Sequence, residues 1–165
     1  MENFSVYENI ATRTGGDIYI GVVGPVRTGK STFIKKFMQE LVLPQVEGGK
    51  KQRYSDELPQ SAAGKTVMTT EPKFVPEEAA EIRVKEAVAR VRLIDCVGFP
   101  VAGAAGFEEE GEPRLVKTPW NDSPVTFELA ATEGTQRVIR DHSTIGILMT
   151  TDGSVTGISR QAYEE

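Results

Sequence analysis

Eight consecutive residues, Gly24-Pro25-Val26-Arg27-Thr28-Gly29-Lys30-Ser31, constrain this chain more than any other stretch. They read G-x-x-x-x-G-K-S, the pattern of a phosphate-binding loop, which needs a strand before it and a helix after it. Both are present. Ile18-Tyr19-Ile20-Gly21-Val22-Val23 is an apolar, β-branched run that reads as a buried parallel strand. Thr32 to Val42 carries Phe33, Ile34, Phe37, Met38 and Leu41 at helical spacing, and Pro44 ends the helix. The chain therefore reads as an α/β fold built outward from a first strand–loop–helix unit.

The chemistry follows from the residue types. Glycines let the main chain approach phosphates and adopt conformations that a side chain forbids. Successive N–H groups then form a concave anion site at a helix N-terminus. Lys30 reaches the β- and γ-phosphates, and the Ser31 hydroxyl is a ligand for Mg2+. Gly24 to Ser31 and the following Thr32 make up the expected nucleotide-binding segment.

The length of 165 residues suits one domain, and 39% hydrophobic with 26% charged residues describes a globular chain. A net charge of -5 argues against a general nucleic-acid binder, which presents a basic surface. The single cysteine, Cys96, forms no internal disulfide and fits a reducing compartment. There is no apolar run of membrane-spanning length and no signal-peptide pattern, so direct membrane insertion is not expected.

Residues 1–14 have Phe4, Tyr7, Ile10 and Ala11 on one face of an expected short helix, ended by Gly15-Gly16. Residues 45–66 are polar and read as a long loop, with one helical turn at 60–64. Thr69 and Thr70 follow. Either they form a first switch, whose threonine (Thr70 ahead of Thr69) ligates Mg2+ and senses the γ-phosphate, or they lie in a β-edge. Residues 80–95 alternate as an antiparallel hairpin turning near Glu86-Ala87. Its second strand ends in Asp95-Cys96-Val97-Gly98, a D-x-x-G in which Asp95 holds the Mg2+ shell and the Gly98 N–H meets the γ-phosphate.

Phe99 occupies the position where the smallest GTPases carry a water-orienting glutamine, and an apolar ring cannot do that work. Residues 99–124, with Glu108-Glu109-Glu110, read as an enlarged second switch in a solvated loop. Its Trp120 anchors either on the core or on a neighbouring subunit. Residues 125–141 read as a helix that turns Phe127, Ala130, Ala131, Gly134, Val138 and Ile139 to the sheet. Thr144 to Thr150 reads as another buried parallel strand. The lone His142 reads as a packing or capping residue. A complete fold of this kind needs further strand–helix units, so the domain at 1–165 is expected to be truncated on its C-terminal side. The motif that reads the base would lie in that further part.

Longer blocks carry a family resemblance. Gly15-Gly16-Asp17-Ile18-Tyr19 through Lys35-Lys36-Phe37-Met38, Asp56 to Thr66, Met68 to Pro76, and His142-Ser143-Thr144-Ile145-Gly146 resemble the N-terminal region of the stage IV sporulation protein A family, bacterial spore-coat morphogenetic ATPases. The resemblance implies a three-layer P-loop NTPase fold related to translation-factor GTPases, with a mostly parallel sheet and one antiparallel hairpin. It implies ATP with Mg2+ as cofactors. Lys30 and Ser31 match the Walker A lysine and serine, Thr69 and Thr70 the sensor threonines, and Asp95 the Walker B aspartate.

For the longer parent protein, the resemblance implies hydrolysis coupled to self-assembly in the mother-cell cytoplasm, at the outer surface of the forespore. A small amphipathic membrane-anchoring protein and other coat proteins are implied as partners. Arg27 has a counterpart in guanylate-binding proteins and atlastins, which look similar at this place in the loop and use an internal arginine finger there. A catalytic Arg27 and an exposed arginine without a role are both open. Two alternatives to an assembly-driving ATPase remain: a regulatory GTPase, and an assembly protein that binds nucleotide without turnover.

Overall fold

The computed structural model describes residues 15–59, 70–85 and 87–164. The expected helix at 1–14, the turn at 60–64, and Thr69 lie outside the described residues. In chain order the elements are β1 (Asp17–Val23), α1 (Lys30–Phe37), α2 (Gly48–Asp56), β2 (Lys73–Val84) and β3 (Ala87–Asp95). Four two-residue strands follow: β4 (Glu108–Glu109), β5 (Glu112–Pro113), β6 (Leu115–Val116) and β7 (Val125–Thr126). Then come α3 (Phe127–Arg137) and β8 (Ile145–Leu148).

The main sheet has the order β2-β3-β1-β8. β1 runs parallel to both β3 and β8, and β2 pairs antiparallel with β3. This is the expected mostly parallel sheet with one antiparallel hairpin. The alternation of β1 assigns its two faces. Ile18, Ile20 and Val22 pack with Ile34, Met38, Val42 and Tyr54 from the α1 and α2 side. Tyr19 and Val23 pack with Ile94, Cys96 and Val138 on the opposite side, where α3 leads into Val138. Helices thus cover both faces, because a sheet buried on two sides needs apolar residues at every position of its central strands. Leu93 and Ile94 are both 0% exposed, and burying each stabilises by about 1.5–3 kcal/mol.

Four expectations need correction. The polar stretch 45–66 contains α2, a helix whose one fully buried residue is Tyr54. Lys50 and Arg53 place cationic groups 5.6 and 5.7 Å from the Tyr54 ring centroid. Two opening glycines and no apolar stripe hid this helix, which tertiary burial of one aromatic side chain supports.

Leu41, placed in the apolar helical spacing, and Ile139, expected to face the sheet, are 41% and 48% exposed. The cause is the same in both places. α1 continues as a π-helical turn over Met38–Val42, and α3 as another over Val138–His142. The wider i→i+5 turn shifts the helical phase. It brings Val42 inward and swings Leu41 out, and it leaves Ile139 outside next to buried Val138. Met38→Ala is expected to lower the unfolding free energy by about 2–5 kcal/mol. Leu41→Ala should lower it by less than about 1 kcal/mol. Urea unfolding of the two variants checks this, and equal losses would contradict the π-turn phase.

The last correction concerns β8, which is parallel as expected but not buried. It has β1 as its one neighbour among the described residues, and Leu148 is 74% exposed. The 99–124 region contributes β4, β5 and β6 to two small ribbons apart from the main sheet, β4 pairing with β5 and β6 with the adjoining β7. The glutamates at 108–110 are exposed, as a solvated acidic run should be. His142 packs edge-on against Phe74 at 5.8 Å, a packing role.

Candidate active site

The loop after β1 is shaped from the main chain outward. Gly24 has φ 138, and a side chain there would run into the Met149 carbonyl. Two hydrogen bonds tie the loop to the end of the D-x-x-G segment. Val26 N donates to Phe99 O at 2.9 Å, and Phe99 N donates to Gly24 O at 3.1 Å. The loop then curls around the Pro25 carbonyl, which accepts from the Thr28 hydroxyl at 2.9 Å and from Lys30 Nζ at 2.6 Å. Gly29, with φ 87, turns the chain into α1, whose first bond runs from Phe33 N to Gly29 O at 2.8 Å. The N-terminal N–H groups of α1 therefore open onto this loop, where the helix dipole favours an anion.

Lys30 and Asp95 face each other across this turn. Lys30 is only 4% exposed. Burial pushes its pKa down, while the neighbouring Cys96 and Asp95 pull it back up. Asp95 is pushed up by burial and held down by its Ser31 hydrogen bond and the Lys30 charge. Ser31 Oγ donates to Asp95 Oδ2 at 2.8 Å. The second carboxylate oxygen, Oδ1, is buried and has no hydrogen-bond partner among the described residues.

A buried, unpartnered anionic oxygen is costly unless something cationic meets it. A hydroxyl oxygen beside a carboxylate is also the donor set that Mg2+ prefers. The residues present thus fit this metal. Gly98, with φ 102, completes the cradle, because a Cβ there would collide with the Gly24 carbonyl and the Lys30 ammonium.

The remaining expected residues divide. Val26 and Thr28 are buried parts of the loop, at 6% and 7% exposure, and Thr32 is exposed on α1. Arg27 is exposed at the loop apex with φ 61, and it makes no hydrogen bond or ion pair among the described residues. Thr70 is buried at 5% exposure, three residues before Lys73, which pairs with Asp95 across the hairpin. The hairpin thus brings Thr70 to the Asp95 end of the sheet. Among the described hydrogen bonds none joins Thr70 to Lys30, Ser31 or Asp95. Its carbonyl lies instead against Gly134 of α3.

Residue types did not announce two features of this site. Phe99 acts through its main chain, stitching the D-x-x-G segment to the loop, and no side-chain pattern encodes that. Trp120 anchors within its own chain. Its Nε1 donates to Glu133 Oε2 at 2.9 Å, and the Arg137 guanidinium lies 4.9 Å from its ring.

Over residues 1–165 the chain matches the family model described as stage IV sporulation protein A, ATPase domain. The chain belongs to this family. It is 61% identical to stage IV sporulation protein A of Clostridioides difficile (strain 630) over 165 residues, which is 99% of this chain and 34% of that protein. It is 56% and 55% identical to the proteins of that name from Bacillus anthracis and Bacillus subtilis (strain 168). Those matches cover 100% of this chain and 34% of each relative. The chain therefore spans about a third of the length of these relatives. No solved structure matches it. The match spans every residue of the candidate site described above, from Gly24 to Gly98, and the family description reads ATPase domain.

Proposed function

We propose that this domain binds ATP with Mg2+ and hydrolyses its β–γ bond as a P-loop NTPase. In the longer parent protein, hydrolysis drives self-assembly of a spore-coat layer. One observation carries the reading: Ser31 Oγ bonded to Asp95 Oδ2 at 2.8 Å, with Asp95 Oδ1 buried and unpartnered beside the buried Lys30. That is the arrangement a phosphate chain and its metal complete.

When bound, Mg2+ neutralises charge on the β- and γ-phosphate oxygens. Lys30 exchanges the Pro25 carbonyl for phosphate oxygens and stabilises the charge that builds on them. Ser31, Asp95 and Thr70 would hold the metal. The Gly98 N–H contacts the γ-phosphate. A water oxygen attacks the γ-phosphorus as its bond to the β–γ bridging oxygen breaks, leaving ADP and phosphate. Phe99 supplies no polar group to orient that water, so Arg27, displayed at the loop apex, is assigned to transition-state charge stabilisation.

For the setting we assign the mother-cell cytoplasm at the forespore surface, with copies of itself, a small amphipathic membrane-anchoring protein and other coat proteins as partners; the family's sporulation name supports a role in sporulation. Among the described residues no helix is long and apolar enough to cross a membrane. Phosphate release measured from ATP, GTP, CTP and UTP, with Lys30→Met as control, tests the activity. ATP turnover that is lost in the control supports the reading. Turnover of GTP alone would replace it with a regulatory GTPase, and binding without release with a nucleotide-dependent assembly protein.

A further inference from the structure

Three consecutive residues of α3, Glu133, Gly134 and Thr135, touch the three segments that the proposed reaction needs to move or hold. Glu133 Oε2 accepts from Trp120 Nε1 at 2.9 Å and from Asn121 Nδ2 at 2.7 Å, fastening the 99–124 region. Thr135 is fully buried, and its hydroxyl donates to Cys96 Sγ at 3.8 Å, beside Asp95. Between them Gly134 receives the main chain of Thr70. A Cβ built at Gly134 would stand 2.7 Å from the Thr70 carbonyl oxygen and 3.8 Å from Trp120 Cζ2.

Gly134 lies in the interior of α3, where alanine is the better helix former. Its backbone is not among the positive-φ positions. Conformation therefore gives no reason for a glycine here. The absent side chain is needed for close approach, and what approaches is Thr70 from one side and Trp120 from the other.

We propose that Gly134 is a positioning residue that seats Thr70 for the γ-phosphate, and that through this seat the state of Thr70 is felt by the loop carrying Trp120. The inference rests on the reading of Thr70 as the γ-phosphate and metal threonine. The coupling needs no long path, since the Thr70 carbonyl and the Trp120 ring edge meet the same vacant Cβ position. A Cβ at 134 pushes the Thr70 main chain outward. The hydroxyl then misses its target, while the diphosphate contacts of Gly24–Ser31 stay intact.

The test uses the 165-residue chain, in which Trp120 is the single tryptophan. Affinities for ADP and for a non-hydrolysable ATP analogue are measured with Mg2+ by calorimetry, alongside Trp120 emission and thermal unfolding. In the unmodified chain the triphosphate shifts Trp120 emission and ADP does not. Gly134→Ala is expected to stay folded and keep ADP affinity, with a melting temperature lowered by a few degrees at most, and to lower the triphosphate-to-diphosphate affinity ratio by about tenfold, the scale of one lost charge-assisted hydrogen bond. It should also silence the emission response. In a Thr70→Ala background, Gly134→Ala should change the ratio no further.

Glu133→Ala, at a half-buried position, gives a second arm should Gly134→Ala not fold. It should silence the Trp120 response and leave ADP affinity unchanged. Thr70→Ala with an undiminished ratio would overturn the reading of Thr70 itself. A diminished ratio in Thr70→Ala but an unchanged or raised one in Gly134→Ala would overturn the seat alone. A Trp120 emission that ignores the triphosphate, or that still responds in Glu133→Ala, would overturn the coupling.

Discussion

Arg27→Ala is expected to lower the turnover number for ATP by about 10³-fold, the low end of what an arginine finger supplies, while KM changes by less than about threefold. The structure sharpens the argument for Arg27. Every neighbour in the loop is occupied: Val26 is tied to Phe99, Thr28 is bonded to the Pro25 carbonyl, and Lys30 is buried against the same carbonyl. Arg27 stands exposed at the apex in a left-handed conformation, φ 61. That conformation costs a non-glycine residue about 1–2 kcal/mol.

Arg27→Gly relieves this strain, so it should unfold at a temperature no lower than the unmodified protein while losing turnover to the same extent as Arg27→Ala. Such a pair of results would mark Arg27 as retained for its guanidinium rather than for the loop. Steady-state phosphate release across protein concentrations that bracket self-association supplies kcat and KM. An equal fall in kcat and affinity, or no fall at all, would return Arg27 to the status of an ordinary exposed arginine.

Lys30→Met is expected to weaken ATP binding by about 10²-fold while leaving the nucleotide-free melting temperature unchanged or higher. Each charge-assisted hydrogen bond to a phosphate contributes about 1.5–3 kcal/mol, and the ammonium is placed to make more than one. Without phosphate, the same ammonium is buried at 4% exposure with a carbonyl as its hydrogen-bonding partner. Burial already pushes its pKa down, the mark of a charge held at a cost in free energy. Methionine keeps the apolar stem and removes that cost.

ATP at about a hundredfold excess over Kd stabilises the unmodified domain by about 2.7 kcal/mol. This corresponds to about 5–10 °C for a domain of this size. Differential scanning fluorimetry should therefore show a clear ATP-dependent shift in the unmodified chain and no more than about 1–2 °C in Lys30→Met. A variant that melts early without nucleotide would show that Lys30 contributes to the fold as well as to the ligand site.

Much of the fold and site was legible in the residues alone because the signals there are local. The phosphate loop, its preceding strand and its following helix lie within about 25 residues and obey fixed spacings. The same holds for the alternation of residues 80–95, which pair as part of the antiparallel β2–β3 hairpin. Where expectation failed, the deciding force was not local. Tyr54 supports α2 through burial against distant residues, and no periodicity in 45–66 reports it. Leu41 and Ile139 faced outward because two helices widened by one π-turn, a change of phase that the sequence spacing does not encode.

By itself, then, the chain's sequence determined which groups stand at the candidate site: the loop N–H groups, Lys30, Ser31, Asp95 and the Gly98 main chain. Local backbone geometry and residue chemistry suffice for that. Only the tertiary structure decided how those atoms are held and linked. The Phe99 main chain closes the loop, Asp95 Oδ1 is left without a partner among the described residues, and Thr70 comes to rest on Gly134 beside Trp120. These contacts join residues 14 to 75 positions apart, and they depend on which sheet face each helix covers and on how closely two main chains can approach. Close approach is a property of packed surfaces, and the sequence records it only as the absence of a side chain.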